Sequence, residues 1–149
     1  MKIFLSTPIS AFEASDAYIE YRQQILKFIS VLRERNIVYS EIEQICELNY
    51  YDKPSDALSK DLNIIDESEM FVIHHPFRMQ TSTLIELGYA VALNKKIIII
   101  GKKKDLPYLA LGLPEKMNNA LIIDTSSLSV QTAEEILQKL QDYESPNEI

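Results

Sequence analysis

Residues 61–100 read DLNIIDESEMFVIHHPFRMQTSTLIELGYAVALNKKIIII. Two short apolar runs, Met70–His74 and Lys96–Ile100, flank a longer helical stretch, Thr83–Leu93. Ile97–Ile100 is continuously apolar, as a central parallel strand covered on both faces must be. A strand, a helix and a second such strand make a β-α-β unit, whose crossover is right-handed.

The same alternation extends outward. Lys2–Ser6, Val38–Ile42 and Ala120–Asp124 are further strand candidates. Glu13–Arg35 is long and periodic, with Tyr18, Tyr21, Ile25, Phe28, Ile29 and Leu32 on one side. Tyr18 and Tyr21 are therefore expected in the core or at a dimer interface. Ser55–Glu67 opens on a Ser-Asp pair that reads as an N-cap. Thr83 with Glu86, and Thr132 with Glu135, have the spacing of capping boxes. The pattern predicts an α/β protein: a single-domain three-layer sandwich over residues 1–149, with a five-stranded, mainly parallel sheet of flavodoxin/Rossmann-like type. Asn49–Pro54 reads as a polar turn, and residues 144–149 as a frayed tail. Ligands of such sheets bind beyond the carboxyl ends of the strands. The loops Thr7–Phe12 and His75–Ser82 and the segment after Gly101 should meet there.

Composition narrows the function. A chain of 149 residues suits one domain, which buries roughly 68–70% of its unfolded surface without needing a metal or disulfide. The net charge of −7 argues against a nucleic-acid polymer as partner, while leaving small anions open, because a few local donors can outweigh a global charge. The single cysteine, Cys46, excludes an intrachain disulfide and suits a reducing cytoplasm. It reads as a plain thiol. The apolar run Ile97–Ile100 falls far short of the roughly 20 residues that span a bilayer, so no membrane partner is expected. No glycine-rich dinucleotide or phosphate loop occurs, against a dehydrogenase or kinase. No cofactor is expected.

Two acids stand in apolar company. With Leu58 at zero and about 100° per residue, Leu62 falls near about 40°, Ile65 about 340°, Ala57 about 260° and Ile64 about 240°. Asp61 falls near about 300°, inside that apolar arc, while Asp56, Asp66 and Glu67 fall outside it. A buried carboxylate is costly unless it is hydrogen-bonded or used. The helix LIELGYAVAL over 84–93 is apolar almost all round and is expected to be buried, with Glu86 as its only charge. Glu86 lies in the first turn, near the positive end of the helix dipole. Each acid also has an ordinary reading: Glu86 as the partner of Thr83 in a capping box, Asp61 as an acceptor for a loop amide. Together they suit glycosidic chemistry, in which one carboxylate attacks or stabilises the anomeric carbon and another manages orientation or protons.

Lesser signals accompany them. His74-His75-Pro76 alone does not make a metal site, so loop structure or ligand contact is the better reading. Arg78 reads as a solvated charge or a phosphate contact. Lys102–Lys104 reads as a solvated turn. The turn Thr81–Thr83 caps its helix, and its amides suit an anion.

On these residues, the stretch from Ser59 to Ile100 resembles the signature half of nucleoside 2-deoxyribosyltransferase-like proteins, including the branch that hydrolyses deoxynucleoside monophosphates. Glu86, Gly88, Ala90, Ala92 and Lys96 stand at the E-L-G-x-A-x-A positions and the basic position beyond, and Asp61 at the helix Asp. The opening KIFLSTPIS is similar to the family's first strand and substrate loop, with Phe4 where many members carry Tyr. The resemblance implies that Glu86 attacks C1′ to form a covalent sugar-enzyme intermediate, and that Asp61 holds the sugar or positions Glu86. It implies substrate contacts from Ser6, Thr7, Pro8 and Ile9, and from Thr81, Ser82 and Thr83, to which His75 and Arg78 are added. It also implies a nucleoside or nucleotide as partner, and a homodimer or larger assembly. Toll/interleukin-receptor-like NAD hydrolases use a Glu on a similar sheet, so a nicotinamide-ribose bond is an alternative target. A non-catalytic nucleotide sensor and a purely structural protein are the remaining readings.

Overall fold

The first strand, β1 (Lys2–Ser6), lies inside the sheet, with β2 (Ile37–Tyr39) on one side and β3 (Met70–His74) on the other. Beyond β3 follow β4 (Lys96–Ile100) and β5 (Ala120–Ile123), giving the order β2-β1-β3-β4-β5. These elements come from a computed structural model, which describes residues 1–48 and 51–144. All five strands pair in parallel, so the sheet is wholly rather than mainly parallel. This is the doubly wound flavodoxin-like order, whose switch point falls between β1 and β3.

Helices cover both faces. On one face, α1 (Ser15–Leu32) and α5 (Val130–Glu144) enclose Ile3, Leu5, Met70, Val72, Ile98 and Ile100. On the other, α2 (Pro54–Glu67), α3 (Thr83–Ala92) and the short α4 (Leu113–Lys116) lie over Phe4, Phe71, Ile73, Ile97 and Ile99. Every residue of β3 is buried, which explains why its sequence lacks a polar alternation. Burying each such Ile, Val or Phe contributes about 1.5–3 kcal/mol.

Several element boundaries differ from the sequence reading. β2 ends at Tyr39 instead of continuing to Ile42, and Glu41–Glu43 forms a 3-10 turn. The Ser40 hydroxyl donates to the Leu5 carbonyl at 2.8 Å, and this side-chain bond displaces the strand ladder. Arg22 then clamps the turn through the carbonyls of Ile42 and Glu43, and Arg33 forks onto the Glu43 carboxylate. α2 is capped at Lys53, with Pro54 as its first residue, so the Ser55-Asp56 pair lies inside the helix. In α5 the capping oxygen is Ser129 Oγ, which accepts the Thr132 amide at 3.2 Å. Thr132 is thus a first-turn residue and does not cap with Glu135.

Leu58, the zero of the angular count and one of the apolar arc of α2, is 47% exposed, and the buried residue is Ile65. The inward direction lies on the Asp61 side of the arc, as its angles placed it, and Leu58 falls at the exposed margin. α3 is not buried all round either: only Thr83, Leu87 and Ala90 are, while Ile85 is 62% exposed. One helix face meets the sheet, and among the described residues nothing covers Ile85 on the opposite face. Residues 145–149, most of the expected tail, and the first two residues of the Asn49–Pro54 turn lie outside the described residues.

Candidate active site

The carboxyl edge of the sheet brings β1, β2 and the first turns of α3 together. Ser6 is the last residue of β1 and is 2% exposed. Its hydroxyl donates to Glu86 Oε1 at 3.1 Å, across a sequence separation of 80 residues. Glu86 does not complete a capping box. α3 starts at Thr83, whose amide is accepted by Thr81 Oγ at 3.3 Å. Counted from there, Glu86 is one residue too far along the helix to reach back to the cap. Its side chain is left for the sheet edge.

Burial pushes the Glu86 carboxyl up to about 8, with the charge of Asp61 acting in the same direction and the Ser6 hydroxyl opposing it. Asp61, at the middle of α2, is raised to about 6 by burial and by Glu41, while Lys60 and the Tyr39 hydroxyl pull it down. Asp61 Oδ1 is buried without a hydrogen-bond partner. An unpaired buried carboxylate oxygen is a costly arrangement in a stable fold, and it is explained if a ligand hydroxyl completes it.

Two residues missed by the sequence reading belong to this cluster. Tyr39 ends β2 in register with Phe4, and the two rings lie 5.4 Å apart. The Tyr39 hydroxyl donates to Glu41 Oε2 and also pulls the Asp61 pKa down. Lys60 pairs with Glu41 at 3.2 Å. Phe4 lacks a hydroxyl, but the neighbouring strand supplies one beside it. The available signal was a Tyr-Ser-Glu run at a strand's carboxyl end, which is visible only once β2 is known to stop at Tyr39.

The loops contribute unequally. Ser10, Thr81 and Ser82 line an open hollow of about 540 Å3 beside the start of α3, with Gln80, Leu84 and Ile85. Thr83 is buried, and its hydroxyl shares a 2.7 Å hydrogen bond with Thr81. The amides of Leu84 and Ile85 are already bonded to the carbonyls of Thr81 and Ser82, so the turn offers an anion few free donors. Thr7 and Pro8 are buried, and Thr7 Oγ1 has no partner. Ile9 packs against the α1 side of the sheet, away from Glu86.

The two histidines point to opposite faces. His74 lies under α1, where Nδ1 accepts from the Tyr21 hydroxyl at 2.7 Å and Nε2 donates to the Ser126 carbonyl at 3.0 Å. Burial lowers its pKa to about 4, which keeps it neutral. His75 is 1% exposed, and Nε2 donates to the Asp105 carbonyl at 3.1 Å. Arg78 donates to the Lys104 carbonyl at 2.8 Å and lines a different cleft from that of Thr81 and Ser82. Among the described residues, no three His, Cys, Asp or Glu side chains are grouped to hold a metal.

Neither a family model nor a curated protein matches the chain in sequence. Solved structures do. The CMP N-glycosidase BcmB of Clostridium botulinum aligns over 96% of this chain and 99% of its own, with 26% identity and a TM-score of 0.66. BlsM aligns over 99% of this chain and 96% of its own, with 15% identity and a TM-score of 0.72. A conserved protein of Enterococcus faecalis V583 aligns over 93% and 98%, with 16% identity and a TM-score of 0.61. The latter two show the fold alone. From one end to the other, then, this chain is similar to a nucleotide N-glycosidase, and it has the fold of the nucleoside 2-deoxyribosyltransferase-like proteins.

Proposed function

We propose that the protein breaks the N-glycosidic bond of a nucleoside or nucleotide, with Glu86 as the nucleophile. The observation that carries this reading is the buried Glu86 carboxyl, held by Ser6 at the switch point of the sheet and facing Asp61. Similarity to a CMP N-glycosidase along the whole chain supports it. The Glu86 carboxylate forms a bond to C1′ as the C1′–N bond breaks. The electron pair leaves with the base, which takes up a proton from solvent. Water then attacks C1′, releasing the sugar and restoring the carboxylate; a second base in place of water gives transfer. Asp61 accepts a sugar hydroxyl through its unpaired Oδ1, and Tyr39 with Glu41 fixes the orientation of Asp61.

The exposed apolar face of α3 supports a second copy as the cover of the open hollow that Ile85 borders. Among the described residues, no helix is long and apolar enough to cross a membrane, and the exposed thiol of Cys46 suits a reducing compartment.

The test is chromatography of released base from deoxynucleosides, nucleoside and deoxynucleoside monophosphates, and NAD. Base release by the wild type and its loss by at least about 10³-fold in Glu86→Gln are expected. Undiminished release by the variant would remove Glu86 from the chemistry. Tight nucleotide binding without release would make the protein a sensor.

A further inference from the structure

A second cleft, of about 520 Å3, opens on the other side of Gln80 and Leu84, the two residues it shares with the hollow beside α3. Arg78 enters it from the β3 loop, and Lys103, Lys104 and Tyr108 from the segment after β4. Three cations thus face one acid, Asp105, in a chain whose net charge is −7. None of the three is in an ion pair among the described residues. The Arg78 guanidinium and the backbone that carries the two lysines are held in place. Arg78 is tied to the Lys104 carbonyl, the Lys103 amide donates to Asp124 Oδ1 at 2.9 Å, and His75 anchors the Asp105 carbonyl.

The hollow beside α3 has the opposite character. Its lining is uncharged, and the amides of Thr83, Leu84 and Ile85 are already bonded. It can seat a phosphate through hydroxyls, but it cannot neutralise a chain of phosphates. Across Gln80 lie a guanidinium and two ammonium groups, which bind phosphate oxygens through charge-assisted hydrogen bonds. Tyr108, 86% exposed at the cleft's border, offers a ring face to a planar group.

We infer that this cleft is a subsite for a second phosphate, so that the preferred ligand is a nucleoside diphosphate or a pyrophosphate-linked nucleotide rather than a monophosphate. The path is set by the Glu86 centre: the sugar at Glu86, the first phosphate beside Ser10 and Ser82, the second between Arg78 and the lysines. Its orientation, though not the existence of the subsite, rests on the proposed glycosidic reading.

The experiment compares CMP with CDP, and AMP with ADP, by calorimetric titration into Glu86→Gln protein and by base release from the wild type. The diphosphates are expected to bind at least about tenfold more tightly than their monophosphates. Lys103→Gln with Lys104→Gln, two surface changes remote from the core, should erase that difference and leave the monophosphate affinity unchanged. Equal affinity for mono- and diphosphates overturns the inference. So does an equal loss for both in the double variant, which would place the first phosphate in the cleft. A diphosphate advantage without base release from any nucleotide would uphold the subsite and sink the glycosidic reading. Should Glu86→Gln fail to fold, titration of the wild type on ice gives the same comparison.

Discussion

A carboxyl shielded from water gives up its proton reluctantly, and the charge of Asp61 makes Glu86 hold its proton more tightly, as that of Glu41 does for Asp61. Both have folded-state pKa values above their ordinary ones. Below about pH 4 the folded and unfolded chains are both protonated at these sites, and no penalty arises. As pH rises toward about 8 the unfolded chain releases protons that the folded chain retains, so stability falls across that window. Glu86→Gln removes its share of this loss. Its melting temperature should exceed that of the wild type by on the order of 5 °C at alkaline pH and nearly match it in acid. Thermal melts at both extremes check this, and an equal gain at each would exclude proton release as the cause.

In the proposed mechanism the same carboxyl must be ionised to attack, so kcat/KM is predicted to climb about tenfold per pH unit until Glu86 titrates. Tyr39→Phe takes away the hydroxyl that steadies Asp61 and Glu41. We expect about a tenfold lower kcat, with the fold kept and the limb set by Glu86 not moved to higher pH. An unchanged kcat would reduce Tyr39 to a packing role. Asp61 was legible because one acid among apolar neighbours breaks a helical period. Tyr39 and Glu41 were not, because they reach the site through a strand end whose position depends on the Ser40 hydroxyl.

Among the elements, the strands were the easiest to read. β1, β3 and β4 have the predicted bounds, since each is a burst of apolar residues with no competing period. Helix starts were harder: Lys53, Ser82 and Ser129 precede the first turns in place of the residues expected to cap them. A serine or threonine near a helix start satisfies the capping pattern in several registers, and the chain's route into the helix selects one. The close packing after β4 was not legible at all. A Cβ on Gly101 would lie 2.8 Å from the His75 carbonyl oxygen and 2.9 Å from Leu106 Cδ2. The backbone oxygen is held by the sheet edge and has little room to move. Gly101→Ala should therefore destabilise the protein by about 1–3 kcal/mol in urea denaturation. An unchanged midpoint would mean that the loop yields freely.

For the whole molecule, the outer face of α3 is the unresolved balance. Its apolar composition predicted a buried helix, yet Ile85 stands exposed beside the candidate site. Light scattering is expected to find a dimer or larger assembly, and Ile85→Glu to shift it toward monomer with loss of activity. A monomeric wild type would rule out a second copy as the cover. By itself the sequence determined the α/β class, the parallel strands and the two inward acids, because apolar periodicity and burial of charge are local properties with large energies. Only the tertiary structure decided that Glu86 bonds Ser6 rather than a helix cap, that Tyr39 and Glu41 join Asp61, and that Arg78 meets Lys103 and Lys104 across a cleft. Those contacts join residues far apart in the chain or turned by a single side-chain hydrogen bond, and no periodicity records them.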